Sequence, residues 1–128
     1  IRGGRIDAEL YSRLIKHMQQ TSIVLTEHIG NPNLNLMEQG KRDVEIYEED
    51  TAWIRESDVV IAECTCPSLG VGYELAYAEK TGIPCHIFYD RNKTQLSAML
   101  RGNPYFTVYP YEKEEDIYPI IDTILNGK

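Results

Sequence analysis

The feature that most constrains the fold is a short apolar run, residues 58–62 (DVVIA), followed by a turn and a helical pattern. A run of this kind, bounded by turn residues, is typical of a strand buried on both faces of a parallel sheet. Ser68 stands at the N-cap position of a helix predicted at 71–80, and Gly82 ends that helix. The order strand, turn, helix predicts one βα unit of a parallel α/β sheet.

The rest of the chain continues this alternation. We predict further helices at 6–18, 41–57, 95–101 and 116–125, and further strands at 22–26, 84–89 and 105–109. Such alternation predicts a doubly wound parallel sheet with helices on both faces, formed by a single domain over residues 1–128. We expect about five strands in total, including a first strand upstream of Ile1. Residues 1–5 (IRGGR) have the pattern of a glycine loop after that strand, or else of a frayed basic terminus.

The turn after residues 58–62 contains residues suited to binding an anion. Gly70 and Gly72 let a ligand approach the backbone closely, and unpaired amides at a helix start attract anions. A turn with one glycine pair is common, so this feature alone favours phosphate binding only weakly. With Ser68 it predicts a candidate phosphate site.

Two acidic residues are predicted to point inward from the helices that flank the same strand. The neighbours of Glu74 three and four residues away are small or apolar, and those of Asp50 are apolar. Two partly buried carboxylates in one crevice suit the cleavage of a glycosidic bond, one as nucleophile and one as acid or orienting group. The alternatives are structural: a salt-bridge partner for Glu74, and a cap or buried hydrogen-bond partner for Asp50.

Composition limits the classes of function. Thirteen basic against 20 acidic residues give a net charge of -7, which argues against binding a nucleic acid polymer but not against a small nucleotide. The cysteines, Cys64, Cys66 and Cys85, have no metal-binding or redox spacing and predict free thiols in a reducing compartment, the cytoplasm or the nucleus. The scattered histidines predict no metal site. No apolar run approaches the roughly 20 residues of a spanning helix, so we expect no membrane partner.

These motifs together resemble the 2′-deoxynucleoside 5′-monophosphate N-glycosidases, the hydrolase branch of the nucleoside 2-deoxyribosyltransferase superfamily. The matching segments are 1–5 (IRGGR), 25–28 (LTEH), Asp50 with Trp53, 57–60 (SDVV), 68–75 (SLGVGYEL), 96–99 (LSAM) and 101–102 (RG). The resemblance covers nearly the whole chain and implies a flavodoxin-like fold. The strand that precedes Ile1 in the family is absent from this sequence.

The resemblance also implies roles for individual residues. Glu74 would be the nucleophile that attacks C1′ of the deoxyribose, and Asp50 would protonate the leaving base or hold Glu74 and the sugar. The substrate-binding residues would be Ile1, Arg2, Gly3, His28, Ser68, Gly70, Ser97 and Met99. Among these, Arg2, Ser68 and the Gly70 region would hold the 5′-phosphate, and His28 would lie near the base.

The resemblance further implies a homodimer in which Ser97 and Met99 complete the neighbouring subunit's site. The alternative is that Leu96, Met99 and Leu100 pack this short helix on its own sheet. No metal or organic cofactor is implied, and the partner is a small-molecule deoxynucleoside monophosphate. Two other functions stay open: a transferase that exchanges bases between free deoxynucleosides, and a nucleotide-binding module without catalysis.

Overall fold

A computed structural model of the chain describes residues 8–25 and 42–127. Its helices α1 to α5 are Ala8–Gln19, Asp43–Glu56, Leu69–Thr81, Ala98–Arg101 and Ile117–Asn126. Its strands β1 to β3 are Val60–Glu63, Cys85–Asp90 and Thr107–Tyr111, and a short 3-10 helix, Glu114–Asp116, leads into α5. The predicted helices at 41–57, 71–80 and 116–125 are confirmed to within two residues at each end, as is the described part of the helix at 6–18.

The described strands form one parallel sheet in the order β1-β2-β3. Ala62 is opposite Ile87, which is opposite Val108, so these side chains point to the same face. The next residue along each strand, Glu63, Phe88 and Tyr109, points to the other face. The predicted parallel α/β arrangement is therefore confirmed for the three described strands.

Helices cover both faces of this sheet. Ile54 of α2 and Val71, Leu75 and Ala78 of α3 pack on one face against Val60, Ala62 and Ile87. Leu10 and Leu14 of α1 and Ile117 and Ile121 of α5 pack on the other face against Phe88. The strands are apolar on both sides because each side is buried under a helix layer, as the uninterrupted apolar run at 58–62 indicates.

The predicted strand at 22–26 is wrong for the part of it that is described, residues 22–25, since Thr26 lies outside the described residues. The amides of Gln20, Thr21 and Ser22 bond back to carbonyls of α1 and end that helix in a turn. The next residue, Ile23, is 91% exposed. No strand of the described sheet pairs with this segment, and apolar, β-branched composition alone does not make a strand without a partner.

Three element boundaries differ from the prediction. The strand expected at 58–62 begins at Val60, whose amide makes a bond to the Pro84 carbonyl of 2.8 Å. The strand expected at 105–109 begins at Thr107, because the amides of Tyr105 and Phe106 bond to Asn103. The helix expected at 95–101 is confined to Ala98–Arg101.

That short helix begins late because Ser97 caps it. Ser97 has a non-helical backbone conformation (φ -52, ψ 137), and its side chain accepts a hydrogen bond from the amide of Met99. Among the helices of residues 8–25 and 42–127, none combines the length and the apolar character needed to cross a membrane.

Candidate active site

Helices α2 and α3 lie side by side and bring the two predicted carboxylates together. Three contacts follow one another in the same order along both helices: Tyr47 with Tyr73, Asp50 with Glu74, and Arg55 with Tyr77. Asp50 is close enough to Glu74 to act on it through its negative charge and through a side-chain hydrogen bond. The helices that enter and leave β1 therefore deliver one carboxyl group each to the same point, as the sequence predicted.

The environment of Glu74 changes its acidity. Burial, the negative charge of Asp50 and the hydrogen bond with Asp50 raise the pKa of Glu74 from its ordinary value of 4.5 to about 7. A hydrogen bond between two carboxyl groups requires one proton, so the pair holds a proton under conditions where isolated carboxyls have none. A carboxyl poised near neutral pH can serve either as nucleophile or as acid.

Within residues 8–25 and 42–127, the side chain paired with Glu74 is the carboxyl group of Asp50. The apolar neighbours of Asp50 three and four residues away were expected to point inward with it, and this prediction is wrong for one of them. Ile54 is buried as expected, but Tyr47 is 50% exposed and lies at the surface beside Tyr73.

The carboxyl pair lines a cavity of about 790 Å³. Trp53 lines the cavity beside Asp50 and Glu74, and the opposite wall includes Phe88 and Ile117. Because the lining comes from both faces of the sheet, the cavity lies along the side of β1 that has no neighbouring strand among the described residues.

The turn before α3 has the features expected of an anion site. Ser68 is the N-cap as predicted, and its hydroxyl accepts a hydrogen bond of 3.3 Å from the amide of Val71. Within the described part of the chain, the amides of Leu69 and Gly70 make no hydrogen bond, which leaves them to attract an anion. A side chain at Gly72 would meet nothing within 4 Å, so the backbone there is open to approach. Gly82 ends α3, as predicted, and has the left-handed backbone conformation (φ 82).

Ser97 and Met99 do not join the carboxyl pair within one subunit. Both line a second cavity, of about 600 Å³, together with Ser68 and Leu69. Asp50 and Glu74 are not among its lining residues. Met99 is 81% exposed and Leu69 is 97% exposed, so the rim of this cavity presents two large apolar side chains to solvent.

Four predicted site residues, Ile1, Arg2, Gly3 and His28, lie outside the described residues. In the described part of the chain, no group of three or more potential ligand side chains could hold a metal ion. All three cysteines are free, with Cys64 and Cys85 buried and Cys66 partly exposed in the turn before Ser68. Burial raises the pKa of Cys64 to about 12 and that of Cys85 to about 11.

Sequence reasoning missed Glu63, a third carboxyl that lines the larger cavity. Glu63 is the last residue of β1 and is only 5% exposed. Its position at the end of a strand could have identified it as a candidate site residue, because the carboxyl ends of parallel strands border the ligand crevice of an open α/β sheet. The predicted strand ended at residue 62, one position too early to draw attention to it.

Comparison with known proteins shows which family the chain belongs to. A sequence model described as nucleoside 2-deoxyribosyltransferase matches residues 3–117. The chain belongs to this family. The resemblance found from the motifs is therefore confirmed at the level of the family.

Named relatives within this family are close in sequence. The chain is 45% identical over 122 residues to the Mus musculus protein named 5-hydroxymethyl-dUMP N-hydrolase, a match that covers 90% of this chain and 70% of that protein. It is 42% identical over 120 residues to the Trichoplax adhaerens protein named putative 2'-deoxynucleoside 5'-phosphate N-hydrolase 1, covering 90% and 81%.

A solved structure shares the fold. The Clostridium botulinum CMP N-glycosidase BcmB aligns with a TM-score of 0.56 and 22% identity, over 75% of this chain and 90% of that one. This structural similarity confirms the predicted α/β, flavodoxin-like fold of the chain.

Proposed function

We propose that this protein is an N-glycosidase that hydrolyses 2′-deoxynucleoside 5′-monophosphates to the free base and 2-deoxyribose 5-phosphate. The observation that carries the proposal is that Asp50 of α2 and Glu74 of α3 line the same cavity, where burial and Asp50 raise the pKa of Glu74 to about 7. Relatives named as N-hydrolases of deoxynucleoside 5′-phosphates and of 5-hydroxymethyl-dUMP support the same bond and the same substrate class.

In the first step, the ionised carboxylate of Glu74 attacks C1′ of the deoxyribose while the bond from C1′ to the base breaks. The bonding electrons leave with the base, which takes up a proton, and an ester forms between Glu74 and the sugar. The carboxylate both stabilises the positive charge that develops at C1′ and captures it. Water then attacks C1′ and loses a proton to solvent while the ester bond between C1′ and Glu74 breaks, which releases the sugar phosphate and regenerates the Glu74 carboxylate.

Asp50 has two candidate roles, to protonate the leaving base or to hold Glu74 and the sugar. In glycosidases whose two carboxyls act on opposite sides of the sugar, these groups are about 5 Å or more apart. Asp50 instead acts directly on Glu74, through its negative charge and a side-chain hydrogen bond, and this contact favours the holding role. In this role Asp50 accepts the proton that Glu74 must lose before it attacks, and the leaving base takes its proton from solvent water.

The 5′-phosphate would bind at the start of α3. The hydroxyl of Ser68 is an acceptor for the amide of Val71, which leaves its own proton free to donate to a phosphate oxygen. The amides of Leu69 and Gly70 add two donors without a partner in the described part of the chain. Arg2 would supply the compensating positive charge, as the family resemblance implies.

We place Ser97 and Met99 in the site of a second copy of the chain. Within one subunit they line a different cavity from Asp50 and Glu74, so a role in catalysis requires that they reach a neighbour. The exposed side chains of Leu69 and Met99 supply an apolar surface that a partner would cover. A homodimer with two-fold symmetry would place this surface of each subunit against the other.

The remaining proposals rest on the resemblance and the composition. Ile1 and Gly3 would contact the substrate, His28 would lie near the base, and no metal or organic cofactor takes part. Three free cysteines support a reducing compartment, the cytoplasm or the nucleus.

Release of base without an acceptor tests the function. The purified protein is incubated with a 2′-deoxynucleoside 5′-monophosphate alone, with the same nucleotide plus a second base, and with the corresponding nucleoside. Hydrolysis predicts base release in the first reaction and a rate at least about a hundredfold lower on the nucleoside, because two charge-assisted hydrogen bonds to phosphate are lost. Exchange only when a second base is present would identify a transferase, and binding without turnover would identify a non-catalytic module.

A further inference from the structure

Glu63 is a buried carboxylate that the proposed reaction does not use. Four donors converge on its two oxygens. The hydroxyl of Tyr111 lies 2.6 Å from Oε2, the amide of Thr65 lies 3.1 Å from Oε1, and the hydroxyl of Tyr11 lies 3.4 Å from Oε1. The fourth donor is the hydroxyl of Thr65, which donates to Oε2. These contacts connect the end of β1 with α1, β3 and the turn that follows β1.

Thr65 extends this network to the neighbouring strand. Its hydroxyl donates to Glu63 and accepts a hydrogen bond of 2.9 Å from the amide of Asp90, the last residue of β2. Only Cys66 and Pro67 separate Thr65 from Ser68, and the proline ring fixes one backbone angle of this short connection. The backbone position of Ser68 is therefore closely tied to that of Thr65.

Burying this carboxylate is costly. Within residues 8–25 and 42–127, no basic side chain pairs with Glu63, so neutral donors alone compensate for the loss of water. An apolar residue would fill the same position without that cost, but it could not hold both the amide and the hydroxyl of Thr65. Holding the turn is what the carboxylate adds beyond packing.

We propose that Glu63 is a positioning residue that acts through Thr65 to fix the turn carrying Ser68 and the amides of Leu69 and Gly70 at the start of α3. The inference rests on the proposed function, because it assigns a purpose to the turn as the seat of the 5′-phosphate. With the network intact, the phosphate donors are held in place before the nucleotide arrives. Without it, the turn must be ordered during binding, and affinity for the phosphate falls.

Thr65→Val tests this proposal with little change of shape, because it removes the hydroxyl and keeps the amide bond to Glu63. We expect a rise of about three- to tenfold in KM for the deoxynucleotide and in the inhibition constant of inorganic phosphate, with kcat changed less than twofold. Glu63→Gln, which keeps the shape and removes the charge, should act in the same direction. Thr65→Ser, which restores the hydroxyl, should return both constants to within twofold of the wild-type values.

Tyr105→Phe is the matched control for stability. It removes a partly buried hydroxyl that donates to the Ile83 carbonyl at 2.8 Å and makes no hydrogen bond to Glu63 or Thr65. A loss of stability alone lowers the active fraction and therefore the apparent kcat, but it leaves KM and the phosphate inhibition constant unchanged. If Thr65→Val and Glu63→Gln behave like Tyr105→Phe, the network serves folding only and the proposal is wrong.

Ser68→Ala separates this proposal from the proposed phosphate site. If Ser68→Ala weakens inhibition by inorganic phosphate and Thr65→Val does not, the positioning role is wrong while the phosphate site stands. If Ser68→Ala leaves phosphate inhibition and the preference for nucleotide over nucleoside unchanged, the assignment of Ser68 to the phosphate site is itself wrong. If Ser68→Ala and Thr65→Val both weaken inhibition by inorganic phosphate, and Thr65→Ser restores it, the positioning role and the phosphate site are both supported.

Discussion

Replacing Glu74 by glutamine should make the protein more stable at pH 8 than the wild type, although it removes the nucleophile. Burial and Asp50 hold the pKa of Glu74 near 7 in the folded protein, against 4.5 ordinarily. Because the folded-state pKa is the higher one, the folded state favours the protonated carboxyl. Its stabilising contribution is complete below pH 4.5 and is lost as the pH rises through about 7.

The size of this effect follows from the two pKa values. The full difference between 4.5 and about 7 corresponds to about 3 kcal/mol of unfolding free energy lost on ionisation. Glu74 keeps some contact with solvent and titrates together with Asp50, so we expect less than half of this, about 1 to 1.5 kcal/mol. Glutamine is never ionised and can keep a hydrogen bond to Asp50, so the variant avoids the loss.

Urea unfolding followed by circular dichroism at pH 4 and pH 8, at one fixed protein concentration, measures the difference. The gap in unfolding free energy between Glu74→Gln and wild type should grow by about 1 to 1.5 kcal/mol from pH 4 to pH 8. In an Asp50→Asn background the growth should shrink, because one cause of the raised pKa is gone. A gap that is the same at both pH values would refute the account of Glu74 as a desolvated, proton-sharing carboxyl.

Three further outcomes are expected. Asp50→Asn should lower kcat and move the acidic limb of the profile of kcat/KM against pH to lower pH. The shift is expected because loss of the Asp50 charge lowers the pKa of Glu74. An unmoved limb would mean that a group other than Glu74 titrates there. Mixing Glu74→Ala and Ser97→Ala chains should restore activity above either parent if each site takes Ser97 from its neighbour. No recovery despite demonstrated subunit exchange, with Ser97→Ala itself impaired, would argue against shared sites. Leu69→Glu and Met99→Glu should each shift sedimentation from dimer to monomer, and unchanged dimers would place the interface elsewhere.

The sequence was most informative where structure depends on neighbours in the chain. The helical spacing around Asp50 and Glu74, and the strand between their helices, were sufficient to predict that the two carboxyls meet. The cap at Ser68 and the end of α3 at Gly82 follow from local chemistry and were also predicted correctly. Such features involve residues only a few positions apart, so periodicity and capping rules capture them.

Features that depend on residues far apart in the sequence could not be predicted from periodicity and capping rules. Glu63 is buried because Tyr11 and Tyr111, 52 and 48 residues away, reach its oxygens. The exposure of Tyr47 depends on where α3 packs against α2, which the spacing of apolar residues does not specify. The segment at 22–25 has strand-like composition, but a strand also requires a partner, and the end of α1 takes up the preceding amides.

The central claim is that Glu74 forms a covalent bond to the sugar, and the anomeric configuration of a trapped product tests it most directly. In methanol-containing buffer, methanol can replace water in the second step and give a methyl 2-deoxyriboside 5-phosphate, whose anomers do not interconvert and are distinguished by NMR. The nucleotide substrate is the β anomer. Two successive displacements at C1′, the first by Glu74, predict the β methyl glycoside. The α anomer would show a single direct displacement and would contradict a nucleophilic role for Glu74.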